Sequence, residues 1–433
     1  MNKYFEEARA MQDSLVAMRR DLHMHPETGF TEFRTASKIV KELQALGYEV
    51  FYGDDCVVES EMFGVPSSVI LENHMQRAID EGADPEIVKK MAGGKTGIMA
   101  VMHFAKPGKT VAFRYDMDCN DVVESTDANH RPFAEGFASL HKGEMHACGH
   151  DGHVTIGLAL AKLIANNKED MAGTIKIIFQ PAEEGVRGAR AMAVKGLVDD
   201  VDFMFGGHIG FKATVDNSLI CASGGLLATT KLDAHFTGRS AHAGAAPQDG
   251  RNALLAAAQA AISLHSISRH GKGASRINVG VLNAGTGRNV LPNVADMKLE
   301  TRGANTEINN FMSSEANRML KACADLYNVE VKITPAGSAP ACVTELDFAK
   351  EIAAIAKDAY EFDEVVDTVD FGGSEDCSYF METVQLKGGH AAYMGYGTHI
   401  AAGHHNDHFD FNEDVLWKSA AFGATLAKEY TNK

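Results

Sequence analysis

Residues 145–185 read MHACGHDGHVTIGLALAKLIANNKEDMAGTIKIIFQPAEEG, which is a loop, an apolar helix, a strand and a second loop in succession. The helix is predicted over Gly152–Asn166 and the strand over Gly173–Phe179, because a long apolar run is followed by a short β-branched one. Both loops carry residue types that bind metals or move protons. Since α/β sheets place their sites at strand ends, this stretch predicts both the fold class and the position of the chemistry.

Apolar runs on either side continue the same pattern. Buried strands are predicted at Thr96–His103, Thr110–Phe113 and Val201–Gly207, and helices at 3–22 and Thr31–Leu46. Strands that alternate with helices indicate an α/β domain with a largely parallel sheet covered on both faces. At 433 residues the chain is long enough for more than one domain.

The middle of the chain has a different order of elements. Strands are predicted at 227–236, 276–282, 295–302 and 329–334, and helices at 251–268 and 306–326. This β-α-β-β-α-β order is typical of a small ferredoxin-like α+β domain. We therefore expect residues 222–336 to be an inserted domain, and residues 1–221 and 337–433 to form the domain that it interrupts.

The composition argues against several functional classes. A formal net charge of −17 disfavours nucleic acid and anionic membrane surfaces as partners. No apolar run reaches the roughly 18 residues of a membrane span, and no secretory signal pattern opens the sequence. The seven cysteines are scattered and odd in number, which fits a reducing compartment, so a cytoplasmic protein is expected.

Two loops carry paired residues suited to metal chemistry. Cys148 and His150 are two residues apart on a glycine-flanked loop, so both side chains can reach one point. Thiolate and imidazole both suit a zinc-like ion. Glu183 and Glu184 directly follow a buried strand, where one carboxylate can bind metal while its neighbour acts as a general base.

Histidines supply two further candidate positions. His208 ends an apolar run between glycines, a place that a packed core histidine would occupy equally well. The segment GHHNDHF at 403–409 offers several imidazoles, of which only one or two are expected to bind metal. Neither position would indicate a metal site by itself.

In this order, the segments HACGHDGH, FQPAEEG, GHIG, GRSAHAGAAPQDG and HHND resemble the M20 family of metallopeptidases and aminoacylases, in particular its amidohydrolase branch. The resemblance covers nearly the whole chain, including FRYDMD, GRNVLP and AAGHHNDHFDF. It implies a metallo-exopeptidase-like catalytic domain with an inserted lid and dimerisation domain. It also implies an enzyme that hydrolyses an amide bond of an N-acyl amino acid.

The resemblance assigns metal ligands by position. The five implied ligands are Cys148, His150, Glu184, His208 and His405. Cys148 is expected to bridge two divalent ions, Mn²⁺ or Zn²⁺; a thiolate favours zinc, whereas relatives in this branch use manganese. His405 is preferred to His404 because it aligns with the C-terminal ligand of the family.

The resemblance also implies catalytic roles. Glu183 corresponds to the general base, and Asp116 in FRYDMD to an acid that orients a ligand. His242 in GRSAHAG matches a lid histidine that crosses a dimer interface and stabilises the oxyanion of the tetrahedral intermediate.

Asn289 and Arg302 match positions that hold the amide and the carboxylate of the substrate. Packing at a strand end for Asn289 and a surface ion pair for Arg302 are the plain alternatives. Glu375 and Asp376, in FGGSED, are candidates for a supporting role beside the pocket.

The resemblance implies p-aminobenzoyl-glutamate as the substrate, p-aminobenzoate and glutamate as products, and either a homodimer or a heterodimer with a related B subunit. An aminoacylase or dipeptidase that takes another acyl group stays open, because the same substrate-holding positions would serve it. A non-catalytic partner subunit is the alternative outside enzymes, although no ligand is lost. Residues 54–95 are an insertion relative to plain members of the branch. We expect this segment to be a specificity element, a contact with the B subunit, or a surface decoration.

Overall fold

A computed structural model describes residues 3–359 and 361–433 of the protein. Over these residues the strands are β1 Glu49–Tyr52, β2 Ile98–His103, β3 Thr110–Asp116, β4 Thr174–Gln180, β5 Phe203–Ile209, β6 Ser218–Ser223, β7 Ala228–Thr237, β8 Ser275–Ala284, β9 Val294–Gly303, β10 Glu330–Ala339, β11 Glu364–Val369 and β12 His390–Tyr396. The α-helices are α1 Lys3–Ala10, α2 Gln12–Met24, α3 Phe33–Ala45, α4 Ser68–Asp80, α5 Pro85–Lys90, α6 Arg131–Ala134, α7 His150–Asn166, α8 Ala189–Ala193, α9 Ala253–His265, α10 Thr306–Leu326, α11 Leu346–Ala359, α12 Ser378–Leu386 and α13 Val415–Thr431. Within the described residues, none of the helices combines the length and apolar character that a membrane crossing requires.

The chain divides into two compact units. The first comprises Met1–Gly225, Val343–Phe371 and Asp376–Lys433. The second comprises Leu226–Cys342 and Gly372–Glu375. The second unit therefore begins and ends a few residues after the range 222–336 that the sequence pattern suggested for an inserted domain.

The first unit is built on an eight-stranded sheet in the order β1-β2-β4-β3-β5-β12-β6-β11. Its central strands β4, β3, β5 and β12 are parallel neighbours, whereas β1 and β2 pair antiparallel at one edge. At the other side β6 pairs antiparallel with β12 and parallel with β11. The predicted α/β class with a largely parallel sheet is confirmed. The apolar runs of β4 and β5 are buried over nearly their whole length, as expected for strands covered on both faces.

The parallel central strands bring four loops together at the carboxyl ends of the strands. The carboxyl ends of parallel strands point the same way, so the segments after β3, β4, β5 and β12 meet there. Helix α7 begins at the same edge and packs against α2 and α13, and its side chains are buried almost all round. Gly149 precedes α7 with a φ of 94°, a left-handed conformation that favours glycine and turns the chain sharply between Cys148 and His150.

Several elements of the first unit lack a clear sequence pattern. Strands β1, β6, β11 and β12 and helix α12 were not predicted. Strand β12, with the sequence HAAYMGY, is buried over six of its seven residues, but its small side chains and glycine resemble a loop. Strand β11 is a partly exposed edge strand, so its EVVDTV sequence carries acids that hide the apolar pattern.

The 54–95 segment contributes a few side chains to the core of the first unit, and most of its residues are exposed or half-buried. Helices α4 and α5 pack against α3. Leu71 and Ala78 of α4, and Val88 of α5, are buried within the apolar core. Arg77 adds an ion pair to Glu144 at 2.9 Å, on the loop that leads to Cys148.

The second unit is a four-stranded antiparallel sheet in the order β10-β7-β9-β8, with α9 and α10 packed on one face. Its element order is β-α-β-β-α-β, as predicted. Strand β9 alternates between buried and exposed residues, which is the pattern of a sheet with one free face. The edge strand β8 alternates over Ser275–Asn278 and is exposed or half-buried beyond. Phe236, Met297 and Leu320 are among the residues of its separate apolar core.

Helices α2 and α3 are joined by an ion pair that makes stability depend on pH. Arg34 and Lys38 of α3 hold the carboxylate of Asp21 on α2, with N–O distances of 2.9 and 2.8 Å. Burial raises the pKa of Asp21, but these two cations outweigh it and lower the pKa from 3.8 to about 2. The stabilisation is therefore complete above about pH 4 and is lost as the pH falls towards 2.

We expect Asp21→Asn to lower the free energy of unfolding by about 1–2 kcal/mol at pH 6, with the difference vanishing near pH 2. Urea unfolding followed by circular dichroism across this range measures it. Asp13→Asn, at an exposed site on the same helix, is the matched control. An equal effect of both substitutions at every pH would contradict the role of this ion pair.

Candidate metal centre

Side chains of types that can bind a metal ion converge from five segments at the carboxyl ends of the central strands. They are Asp116 at the end of β3, Cys148 and His150 at the start of α7, Glu183 and Glu184 after β4, His208 near the end of β5, and His404 and His405 after β12. The ligand atoms of Cys148, Glu184 and His405 lie within 4.8 Å of one another, as do those of His150, Glu183 and Glu184. Ligands of one ion at roughly 2.0–2.3 Å would be spaced in this way.

Cys148 is placed between two groups of donors. Its Sγ lies 3.4 Å from His208 Nε2. It also belongs to the group with Glu184 and His405, whose Nε2 is 3.1 Å from Glu184 Oε1. A thiolate in this position can contact two ions at once, as the sequence resemblance implies for Cys148.

Two of the histidines are oriented by backbone carbonyl groups. His150 Nδ1 donates to the carbonyl oxygen of Asp118 at 2.8 Å, and the buried Nε2 atom has no hydrogen-bond partner. His208 Nδ1 donates to the carbonyl oxygen of Ile209 at 2.7 Å, so its Nε2 points to Cys148. Metal-binding histidines hold their second ring nitrogen in this way. The unpartnered Nε2 of His150 is an atom that a cation would satisfy.

The charges of the cluster favour bound cations. Burial and the nearby carboxylates of Glu184 and Glu183 raise the pKa of the Cys148 thiol well above its ordinary value. Burial also raises the pKa of Glu184, but hydrogen bonding to His405 and the charge of His150 outweigh it and lower the pKa to about 2. A buried site rich in carboxylates with a thiol among them is stabilised by positive charge. The residues present therefore fit a pair of divalent ions.

The loop that carries His405 is attached to the loop that carries Cys148. The backbone N–H of His405 donates to the carbonyl oxygen of Ala147 at 2.8 Å. His405 has a φ of 64°, a left-handed conformation that costs energy for a residue other than glycine. Its neighbour His404 donates from Nε2 to the carbonyl oxygen of Ile209 at 3.2 Å and lies beside Cys148 and His208.

Asp118 organises the ligand loops, although the sequence reasoning did not select it. Its two carboxylate oxygens accept the backbone N–H groups of Glu183 and Glu184 at 2.9 and 3.0 Å. Its carbonyl oxygen accepts from His150. A signal was present in the sequence, because Asp118 lies two residues after Asp116 and an extended chain places such residues on the same side.

Asp116 is buried beside the donors. Its carboxylate accepts from Arg114 Nη1 at 2.6 Å and from His153 Nδ1 at 2.5 Å, and it lies 3.8 Å from His150 Nε2. His153 in turn accepts the backbone N–H of Ile209 at 2.9 Å. Asp116 therefore fixes the end of β5 through His153, while its negative charge faces His150.

Asp376 supports the loop that carries the two glutamates. It is buried and accepts from Gln180 Nε2 at 2.7 Å and from the backbone N–H groups of Gly188 and Ala189 at 3.2 and 3.0 Å. These contacts hold both ends of the segment in which Glu183 and Glu184 lie.

Arg19 of α2 is a second organising residue that no sequence motif indicates. It is fully buried and pairs with Asp151 at 2.8 Å, with Asp410 at 3.0 Å and with Glu413 at 3.3 Å. Asp151 follows His150, and Asp410 lies on the segment after His405. Arg19 thus links the two segments that carry these histidines.

His242, Asn289 and Arg302 lie in the second unit. His242 Nδ1 accepts the backbone N–H groups of Gly244 and Ala245 at 3.2 and 3.0 Å, which leaves Nε2 as the ring nitrogen that can donate. The loops of His242 and Asn289 are joined by backbone hydrogen bonds, including Ala243 N–H to the Asn289 carbonyl oxygen at 3.0 Å. Arg302 pairs with Glu300 at 2.9 Å.

The α/β fold, with thiol, imidazole and carboxylate donors at the ends of its central strands, defines a metal-dependent hydrolase. Residues 112–429 match the model of peptidase family M20/M25/M40. The chain belongs to this family, and within it the protein is a metal-dependent amidohydrolase. The resemblance found in the motifs is thereby confirmed.

Three relatives are similar over almost the whole chain. An indole-3-acetyl-aspartic acid hydrolase of Enterobacter agglomerans is 46% identical over 96% of this chain and 95% of its own length. One of the subunits of the p-aminobenzoyl-glutamate hydrolase of Escherichia coli K12 is also 46% identical, over 96% of this chain and 94% of its own. The crystal structure of an aminobenzoyl-glutamate utilization protein from Klebsiella pneumoniae has a TM-score of 0.83 and 37% identity, with 98% and 97% of the two chains covered.

We expect Asp118→Ala to weaken metal binding by about 10- to 100-fold, because it frees the backbone of Glu183 and Glu184. Competition with a chromogenic chelator measures the affinity. Asp121→Ala removes an exposed carboxylate from the same loop and should leave the affinity unchanged. Unaltered affinity in folded Asp118→Ala protein would refute the organising role.

Proposed function

We propose that this enzyme hydrolyses p-aminobenzoyl-glutamate to p-aminobenzoate and glutamate at a centre of two divalent ions. The main support is the position of Glu183. One of its carboxylate oxygens lies within 4.8 Å of the donor atoms of His150 and Glu184, so an additional carboxylate lies beside the proposed metal ligands. The substrate is supported by the two aminobenzoyl-glutamate relatives. The proposed ligands are Cys148, His150, Glu184, His208 and His405.

Glu183 is the proposed general base. Bound divalent ions would lower the pKa of a water molecule and polarise the scissile carbonyl group. The Glu183 carboxylate takes a proton from the attacking water and returns it to the leaving amine. Its backbone N–H is held by Asp118 at 2.9 Å, which fixes the chain at the position where the proton moves.

The second unit supplies the proposed contacts to the substrate. The Nε2–H of His242 donates to the oxyanion, a role that fits the two backbone N–H groups held at its Nδ1 atom. Asn289 holds the substrate amide and Arg302 a carboxylate. In this proposal residues 222–336 are a lid and dimerisation domain, and residues 1–221 and 337–433 are the catalytic domain.

The oligomer and the ions are part of the same proposal. The Escherichia coli relative is named as one subunit of its enzyme, which supports pairing with a related B subunit; a homodimer is the other arrangement. The ions are Mn²⁺ or Zn²⁺; the thiolate of Cys148 favours zinc. The cytoplasm is the proposed compartment, because seven scattered cysteines, an odd number, fit a reducing environment better than a disulfide framework.

A second candidate function has specific support. The indole-3-acetyl-aspartic acid hydrolase is as similar to this chain as the aminobenzoyl-glutamate enzyme is. An aminoacylase that takes another N-acyl amino acid would use the same groups. A non-catalytic partner subunit is disfavoured because a general base stands beside a full set of metal donors.

Glu183→Gln tests the proposal directly. In the metal-loaded enzyme we expect kcat for p-aminobenzoate release to fall by about 10²- to 10⁴-fold with two ions still bound, because only the proton carrier is lost. Glu184→Gln should instead lower the metal content. Release of p-aminobenzoate followed by chromatography, with metal analysis of each variant, distinguishes the two.

Wild-type protein that is inactive towards p-aminobenzoyl-glutamate but cleaves indole-3-acetyl-aspartate would favour the second candidate. Inactivity towards a panel of N-acyl amino acids, with and without a B subunit, would contradict both. Full activity in Glu183→Gln would remove this residue from the mechanism.

A further inference from the structure

An arginine-lined cleft lies on the free face of the sheet in the second unit. Its walls include Arg269, Arg276, Asn278, Glu300 and Arg302, and its volume is about 440 Å³. This size is within the range of about 300–1,000 Å³ for small-molecule sites. Arg276, Asn278, Glu300 and Arg302 lie on the face of the sheet opposite α9 and α10. Ile277, which also lines the cleft, belongs to the apolar core.

The cleft carries more positive than negative charge. Arg276 of β8 and Arg302 of β9 are directly opposite in the strand register, on the same face of the sheet. Like charges in such a cross-strand pair are destabilising unless a counter-charge lies between them. Three guanidinium groups face one carboxylate, that of Glu300, in a chain whose formal net charge is −17.

The carboxylate of Glu300 is already paired with cationic side chains of the protein. Glu300 accepts from Arg302 at 2.9 Å and from Lys231 at 3.2 Å. Burial raises the pKa of Glu300, but the hydrogen bond from Arg302 and the charge of Lys231 outweigh it and lower the pKa. Within the described residues, neither Arg276 nor Arg269 has an ion-pair partner. Arg269 is nevertheless oriented, because its Nη1 donates to the carbonyl oxygen of Ile267 at 2.9 Å.

We infer that this cleft binds the side-chain carboxylate of an acidic amino acid, and that Arg276 selects dicarboxylic over neutral amino-acid conjugates. The inference rests on the proposed function, which assigns Arg302 to a carboxylate of the substrate. Glu300 occupies Nε and Nη2 of Arg302, at 2.9 and 3.3 Å, which leaves Nη1 for one carboxylate of the substrate. Arg276, opposite Arg302, offers a whole planar fork for the second carboxylate. The two relatives at 46% identity are named for aspartate and glutamate conjugates, which share this chemistry.

The test compares p-aminobenzoyl-glutamate with p-aminobenzoyl-glutamine, which replaces the side-chain carboxylate by an amide of the same size. Metal-loaded wild type, Arg276→Ala and Arg276→Lys are assayed with both. We expect Arg276→Ala to lower kcat/KM for the glutamate conjugate by about 10- to 100-fold, mostly through KM, and to change the glutamine conjugate less than about twofold. Arg276→Lys should be intermediate, because it keeps the charge but loses the fork.

Arg318→Ala is the matched control. It removes one positive charge from an exposed position on α10 of the same unit and should leave kcat/KM for both conjugates unchanged. An equal loss for both conjugates in Arg276→Ala, or no loss for either, would overturn the inference.

Failure of the proposed function has a different signature. If the wild type cleaves neither conjugate, calorimetry of L-glutamate and L-glutamine binding to the same proteins replaces the assay. Preference for glutamate that disappears in Arg276→Ala would support the cleft even then. Equal binding of the two amino acids by the wild type would overturn it.

Discussion

Three of the side chains proposed for the metal centre are positioned by one residue, Asp118, which lies two positions beyond the end of a central strand. Its carboxylate holds the backbone N–H groups of Glu183 and Glu184, and its carbonyl oxygen fixes the ring of His150. One residue therefore ties the loop after β3 to the loop after β4 and to the start of α7. These hydrogen bonds fix the three groups relative to one another.

A buried ion network extends this constraint to the C-terminal segment of the first unit. Arg19 pairs with Asp151, next to His150, and with Asp410 on the segment after His405. Taking these charges out of water is costly, and only mutual pairing compensates for it. The network thus makes the geometry of two distant segments depend on one arginine. The loops at the carboxyl ends of the parallel strands are therefore held both by the sheet and by this ion network.

The sequence predicted most of the fold and most of the residues that meet at the centre. Cys148, Glu184 and His208 could be found because each lies at a strand end or helix start, where an α/β sheet brings loops together. Arg19 could not, since it occupies a helix whose apolar face alone is visible in the pattern. Strand β12 was missed because its small residues are buried by position rather than by hydrophobicity. The opposition of Arg276 and Arg302 could not be predicted, because cross-strand neighbours are known only once the register is known. The pairing of Arg302 with Glu300 needs no register, since residues two apart on one strand share a face.

The proposed chemistry depends above all on a dinuclear centre in which the Cys148 thiolate bridges two ions. X-ray absorption on the zinc-loaded chain, run beside Cys148→Ser, measures the number of ions and their neighbours. We expect two zinc ions per chain, a sulfur neighbour at about 2.3 Å and a second metal at about 3.5–4 Å, with the sulfur signal absent in the variant. A single zinc ion per chain with only nitrogen and oxygen neighbours would contradict the bridged centre.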